Sequence, residues 1–378
     1  NSNNVAVGYQ ALKTLNAGAD SYNVAIGYQA GTAITTGIQN TLIGSLSGDV
    51  MTDADYNVGV GIGSLGANVL GSQSTAIGTN SLFYQNPASA TNMLNTAVGY
   101  TAGFNVTTGI YNVAIGGLSL DALTDADYNV AVGTSALSSD TQGSKSTAIG
   151  HSALYTQNFS SATDSHNTAV GYNAGLVITT GIQNTILGAL AGDALTDADN
   201  NVAIGVNALS SDTLGSRSTA IGKNALTNQN FTSATDSFNV AIGLGAGESN
   251  VSGVQNTFIG ASAGDASTTD HNTFVGYNSG GAVTSGFRNS FFGKDSGDAM
   301  TTGDKNVIIG SYSGNESDLG DIRALDKYIV LSDGDGNSRV WVTGGSNVNQ
   351  FFATGIYLWT TSASANVVVT SSSGHIAR

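Results

Sequence analysis

Carboxylates recur in this chain in a fixed frame. Asp53-Ala-Asp55-Tyr-Asn57, Asp125-Ala-Asp127-Tyr-Asn129 and Asp197-Ala-Asp199-Asn-Asn201 lie 72 residues apart. Alternate carboxylates followed by an amide are hard oxygen donors of the kind Ca²⁺ takes, and Ca²⁺ is the one cofactor this chemistry suggests. No Glu follows at the twelfth position, however, and the same residues suit Asx turns whose side chains cap their own backbone. The turn is therefore the first expectation. Asp333-Gly-Asp335-Gly-Asn337 opens like a Ca²⁺ loop but continues into Arg339, and reads as a hairpin turn.

Aromatic residues are the second chemical signal. Phe83, Tyr84, Tyr155, Phe159 and Phe231 sit among Gln, Asn, Ser and Thr, and Trp341, Tyr357 and Trp359 fall near the C-terminus. Exposed rings in polar surroundings can stack on a saccharide or protein receptor, so Phe83, Tyr84, Tyr155, Phe159, Phe231 and Trp359 are the candidate receptor-binding residues. The alternatives are a plain Gln/Asn-rich loop for the first five and a packed core for the tryptophan. The four His residues (151, 166, 271 and 375) have no spaced acidic partner, and there is no Gly-Lys-(Ser/Thr) phosphate loop. Carboxylates that repeat in register argue for a structural column rather than a catalytic pair, so no enzymatic activity is expected.

What positions these residues is a repeat. The word Asn-(Val/Thr)-Ala-(Ile/Val)-Gly, with Ser sometimes replacing Asn, occurs 18 times, anchored from Asn4 to Asn306. The interval runs 19, then 17, 17, 17 and 21 three times over, then 17, 16, 17 and 17. Residues 23–94, 95–166 and 167–238 are thus three copies of a four-coil block. Counting the anchor as zero, position 3 is always large and apolar, position 2 is mostly Ala, position 4 is always Gly, position 7 is Ala or Ser, and position 8 is Gly or Leu. The four extra residues of each 21-residue coil fall in 82–93, 154–165 and 226–237, the segments that carry the candidate aromatics.

A five-residue β-branched word closed by Gly does not suit a helix and cannot bury its apolar positions alone. Stacked coils bury them, which predicts an all-β parallel solenoid or β-roll of about 18 coils over residues 1–314. At about 4.8 Å per coil the stack would be roughly 85 Å long. Asn23, Asn40, Asn57, Asn95, Asn112, Asn129, Asn167, Asn184 and Asn201 are expected to form a ladder of side-chain amides. Positions 2 and 3 point to opposite faces of a strand and both are apolar. The expectation is that the large residues fill the coil while the Ala face takes a close partner. Residues 315–327 read as a charged linker or short helical turn, and 328–378 as a hairpin-rich β-module.

Composition agrees with a regular acidic rod. The 51 Gly and single Pro exclude collagen, and the −15 net charge disfavours nucleic acid and anionic bilayers as partners. No apolar run reaches the length of a membrane span, so no membrane insertion is expected. No Cys is present, which removes disulfides and thiolate metal sites.

The words at 167–175 (Asn-Thr-Ala-Val-Gly-Tyr-Asn-Ala-Gly) and 218–226 (Ser-Thr-Ala-Ile-Gly-Lys-Asn-Ala-Leu) resemble the head repeats of YadA-like trimeric adhesins over residues 4–314. The resemblance implies a left-handed parallel β-roll in which three chains pack around a threefold axis. Coils of 17 or 21 residues are longer than the family repeat, and no neck, coiled-coil stalk or membrane anchor is seen. The stretch 362–378 resembles the segment before the intramolecular chaperone of phage tail fibres and endosialidase-type tailspikes, which implies chain release at such a point. Together the two resemblances imply an extracellular, virion-borne homotrimeric tail-fibre segment that contacts other tail or fibre proteins and binds a host-surface glycan or protein. The head of a bacterial surface adhesin is the main alternative. An ice-binding solenoid is a further one, disfavoured because strands read Thr-Ala-Ile rather than Thr-x-Thr.

Overall fold

A computed structural model of the chain describes residues 2–18, 20–316, 319–343, 350–353, 369–370 and 376–377. Among them every regular element is a β-strand. The chain forms two compact units, residues 1–238 and 239–378.

In the first unit each word of the repeat is a three-residue strand. Val24–Ile26, Thr41–Ile43, Val58–Val60 and Thr75–Ile77 pair in parallel, residue for residue, with Ala25 opposite Leu42 and Gly59 opposite Ala76. The same register continues through Val202–Ile204 and Thr219–Ile221. The coil is therefore the repeat, and the solenoid expected from the period is present. In each 21-residue coil the extra residues lead into a second short parallel pair: Gly71–Ser72 with Thr91–Asn92, Gly143–Ser144 with Thr163–Asp164, and Gly215–Ser216 with Thr235–Asp236.

The faces of the strand are the reverse of the expectation. The position-2 column, Ala25, Leu42, Ala76, Ala97 and their successors, is fully buried inside the coil. The large position-3 residues point outward: Ile26, Ile43, Ile77, Ile115, Ile149 and Leu187 are 37–47% exposed. Coil volume explains the inversion. The interior already receives a large side chain from position 8 (Leu65, Leu82, Leu120, Leu137, Leu154) or from position 11 (Ile34, Met51, Val106, Ile178, Leu195), which leaves room only for a small residue at most position-2 sites.

The backbone follows from the same crowding. A Cβ on Gly27 at position 4 would lie 2.4 Å from the carbonyl oxygen of Gly44 in the next coil, at a φ of +146°. Only Gly allows coils to stack that closely. At position 8 the backbone is left-handed whether the residue is Gly or Leu, as at Gly31 (φ 57°) and Leu154 (φ 51°). A left-handed Leu is strained by roughly 1–2 kcal/mol, and burial of its side chain offsets that strain.

In the second unit the parallel pairing runs from Val240–Ile242 through Val307–Ile309 and on to Ile329–Ser332, one rung past the last repeated word. Phe258, Phe274 and Phe291 take position 2 here and stack at 5.6 and 4.9 Å between ring centroids. Residues 315–327, expected as a linker or helical turn, contain an antiparallel pair, Asn315–Glu316 with Gly320–Asp321, and a buried Ile322. Tyr312 is also buried and its hydroxyl donates to the Gly320 carbonyl. Ser338–Thr343 then pairs antiparallel with both Ile329–Ser332 and Gln350–Ala353, and Trp341 stacks on Phe352. Trp359, Tyr357 and His375 lie outside the described residues.

Candidate functional site

The anchor column does form a ladder, with a more specific geometry than amide against amide. Each Asn Oδ1 accepts the backbone N–H of the next anchor: Asn23 from Asn40 (2.9 Å), Asn95 from Asn112 (2.8 Å), Asn167 from Asn184 (2.9 Å). From Asn23 to Asn239 each Nδ2 donates to a carbonyl 14 residues on, as Asn40 to Ala54 and Asn129 to Gly143. One buried side chain thus ties its coil across and along the stack, and both functions of the amide are needed.

Where Ser replaces Asn, a residue that sequence reasoning missed completes the tie. Gln157 is fully buried; its Nε2 donates to Ser146 Oγ and to Asp140, and its Oε1 accepts from Asn167 Nδ2 at 2.8 Å. Asp140 is buried too, and its carboxylate accepts the Gly143 N–H. Burial pushes the Asp140 carboxyl above its usual range, against the opposing effect of its bonds from Gln157 and the backbone. Gln229 and Asp212 repeat the arrangement. In the first block Asn68 stands for the aspartate, its Nδ2 donates to the Gly71 carbonyl, and Gln85 Nε2 is left without a partner. The signal available in the sequence was the 72-residue recurrence of Gln85, Gln157 and Gln229 at position 11.

The Asp-x-Asp triads are occupied by the chain itself. Asp55, Asp127 and Asp199 accept the backbone N–H of Ile38, Ile110 and Ile182 in the preceding coil at 2.7–2.8 Å. Asp53 and Asp197 accept from the Thr36 and Thr180 hydroxyls, and Asp125 from its neighbour Thr124. Each triad splits its carboxylates between two structural ties, and these run mainly to the preceding coil, whereas the Asx-turn reading expects the side chains to cap their own backbone. Among the described residues no cluster of three His, Cys, Asp or Glu could hold a metal ion. Asp333 is likewise engaged, by Arg339 first and by Asn337, which hold its carboxyl down to about 2.

Gly260-Ala-Ser262-Ala-Gly264 has the spelling of a hydrolase nucleophile elbow. Ser262 occupies position 6 of its coil, the left-handed slot that Asn278 and Asp295 fill in the following two coils, so the string is the repeat's own turn.

The candidate aromatics separate into two groups. Phe159 and Phe231, expected as surface contacts, are only 5% and 6% exposed and pack inside the long coils, close to Gly143 and Gly215. The inward turn of the extra residues, needed to form the second strand pair, takes these rings with it. Tyr84 and Tyr155 are exposed and Phe83 is half-buried. Phe83, Tyr84 and a ring that sequence reading passed over, Phe104, form one cluster with centroids 4.9–5.5 Å apart. The residues before the anchors also stack along the coils, as Tyr111 on Tyr128 at 5.1 Å and Arg217 over Phe238 at 5.6 Å.

The outward apolar column is a further surface feature, exposed at Ile26, Ile43, Ile115 and Ile149 and part-buried at Val60, Val98 and Val132. In the second unit it runs through Ile242, Ile259, Phe292 and Ile309, 37–47% exposed, the same range as in the first. Comparison with protein-family models, curated proteins and solved structures gives no match.

Proposed function

We propose that this chain is one strand of a homotrimeric adhesive fibre, a stiff shaft of the phage tail-fibre kind that carries receptor contacts on its surface. The observation that carries the proposal is the outward position-3 column. Apolar without exception, exposed on some coils (Ile26, Ile43, Ile115, Ile149) and part-buried on others (Val60, Val98, Val132, Val170), and aligned within each unit by an in-register parallel sheet, the column makes an apolar stripe, and such stripes on soluble proteins mark interaction surfaces. Its uniformity favours identical partners side by side, since each coil then meets an equivalent coil. Three copies agree with what the adhesin-like words imply, and the stretch 362–378 favours a tail fibre over a bacterial surface head.

The mechanism is mechanical and adhesive. Asn ties, Gly-to-Gly stacking and a packed interior give each coil stiffness, and lateral packing covers the stripe. Three copies of a weak receptor contact act together, so avidity exceeds the single-site affinity. The Thr column does not favour ice binding: Thr41, Thr75 and Thr96 are half-buried and flank inward residues rather than forming an exposed array. Chemical cross-linking followed by mass measurement tests the proposal. A trimer band that disappears when Ile115→Asp and Ile149→Asp are combined supports it, and an unchanged monomer band in the parent chain refutes it.

A further inference from the structure

The three blocks are near-copies, so a place where they diverge in concert is informative. Position 9 carries Asp49, Asp121, Asp193 and Asp265 at 72-residue intervals, with Asp298 beyond them. Each is half-buried, and burial pushes each carboxyl above its usual range. Between Asp49 and Asp121 the column reads Gly66, Phe83, Phe104; between Asp121 and Asp193 it reads Ser138, Tyr155, Leu176. Tyr84 at position 10 becomes Thr156 and then Asn228. Aromatic content thus falls from three rings to one to none along successive windows of one surface.

The first window is built as a unit. A Cβ on Gly66 would lie 2.6 Å from Phe83 Cε2, so the glycine makes space for that ring to lie against the preceding coil. Phe83 and Phe104 stack at 5.5 Å and 21°, and Tyr84 stands edge-on to both at 4.9 and 5.1 Å. We propose that the Phe83–Tyr84–Phe104 cluster is a binding platform for a neutral saccharide chain lying along the coil axis, with the Asp49 and Asp121 carboxylates accepting from its hydroxyls. This deepens the adhesive reading and rests on it for its biological role.

The ring geometry selects the ligand. The rings touch one another and leave no hollow between them, so there is no aromatic cage for an ammonium group. What they present is a continuous external aromatic surface, which suits the flat C–H face of a sugar ring. The chain's net charge of −15 and the flanking carboxylates oppose an anionic polymer. The carboxylates stand about 5 and 10 Å from the nearest ring along the stack at the usual strand spacing, which matches an extended ligand rather than a single sugar.

The test uses the full chain and an immobilised panel of neutral hexose and N-acetylhexosamine oligomers, with heparin and a lysine-rich peptide as charged probes. At least one neutral oligomer should bind, and Tyr84→Thr combined with Phe104→Leu should weaken it at least tenfold. Those replacements are the residues found 72 positions later, so the coil should fold unchanged. Thr156→Tyr and Leu176→Phe, combined with Ser138→Gly to restore the space that Gly66 gives the first window, should raise the number of sites per chain from one to two. Neutral oligomers that fail to bind, binding unaffected by the first pair, or preference for either charged probe would overturn the platform. Sedimentation of the same samples separates the two readings: a monomer that still binds the sugar defeats the shaft alone, and a trimer that does not bind it defeats the platform alone.

Discussion

The two compact units solve the same interior with different side chains. In residues 1–238 position 2 is mostly Ala, and volume comes from Leu at position 8 or from Ile, Met, Val or Leu at position 11. In residues 239–378 Phe258, Phe274 and Phe291 supply the volume at position 2, and Gly264, Gly280 and Gly297 stand at position 8, where a Cβ would lie 2.5–2.6 Å from a ring atom. The outward column does not change between them. An interior that accepts different fillings is under a packing constraint alone, whereas an apolar surface kept in both units answers to something outside the coil.

The sharpest way to break that comparison is to empty the second interior. Phe274→Ala should cost about 3–5 kcal/mol of stability, measured by urea unfolding of the chain, because its neighbours Phe258 and Phe291 cannot both close the gap. Filling the first interior should cost less. Ala169→Phe places a ring where Ile178 already fills the coil and should destabilise by about 1–3 kcal/mol. If Ala169→Phe is neutral, the interior of the first unit is not the tight volume described.

The strand words, their period and the solenoid were legible because identical chemistry returned in a fixed frame. Which face pointed inward was not. Ala169 and Val170 are both apolar, and alternation alone assigns them to opposite faces without saying which is the core. That is decided by the side chains at positions 8 and 11, which reach the interior from the far side of the coil. Gln157 and Asp140 were missed because buried polar residues run against expectation, and Phe104 because its partners, Phe83 and Tyr84, lie in the coil before it.

The smallest expected effect concerns the buried carboxyl. Because burial raises the Asp140 pKa, its ionised form opposes folding. That opposition is absent below the ordinary carboxylate pKa of about 3.9 and grows as pH rises through the folded-state value. Asp140→Asn removes it but leaves Gln157 as poorly partnered as Gln85, so at neutral pH the two effects should leave stability within about 1 kcal/mol of the parent. On acidification the parent should gain relative to the variant. A difference independent of pH would show that Asp140 is not the buried acid the structure places there.

The stripe carries the central claim. Combining Ile115→Asp with Ile149→Asp should leave the circular dichroism of the coil intact, since neither residue enters the interior, while charge on the contact face separates the chains. The most direct measurement is sedimentation equilibrium of the unmodified chain. A species of three times 38.0 kDa is expected, and a stable monomer at micromolar concentration would refute the lateral packing of the stripe.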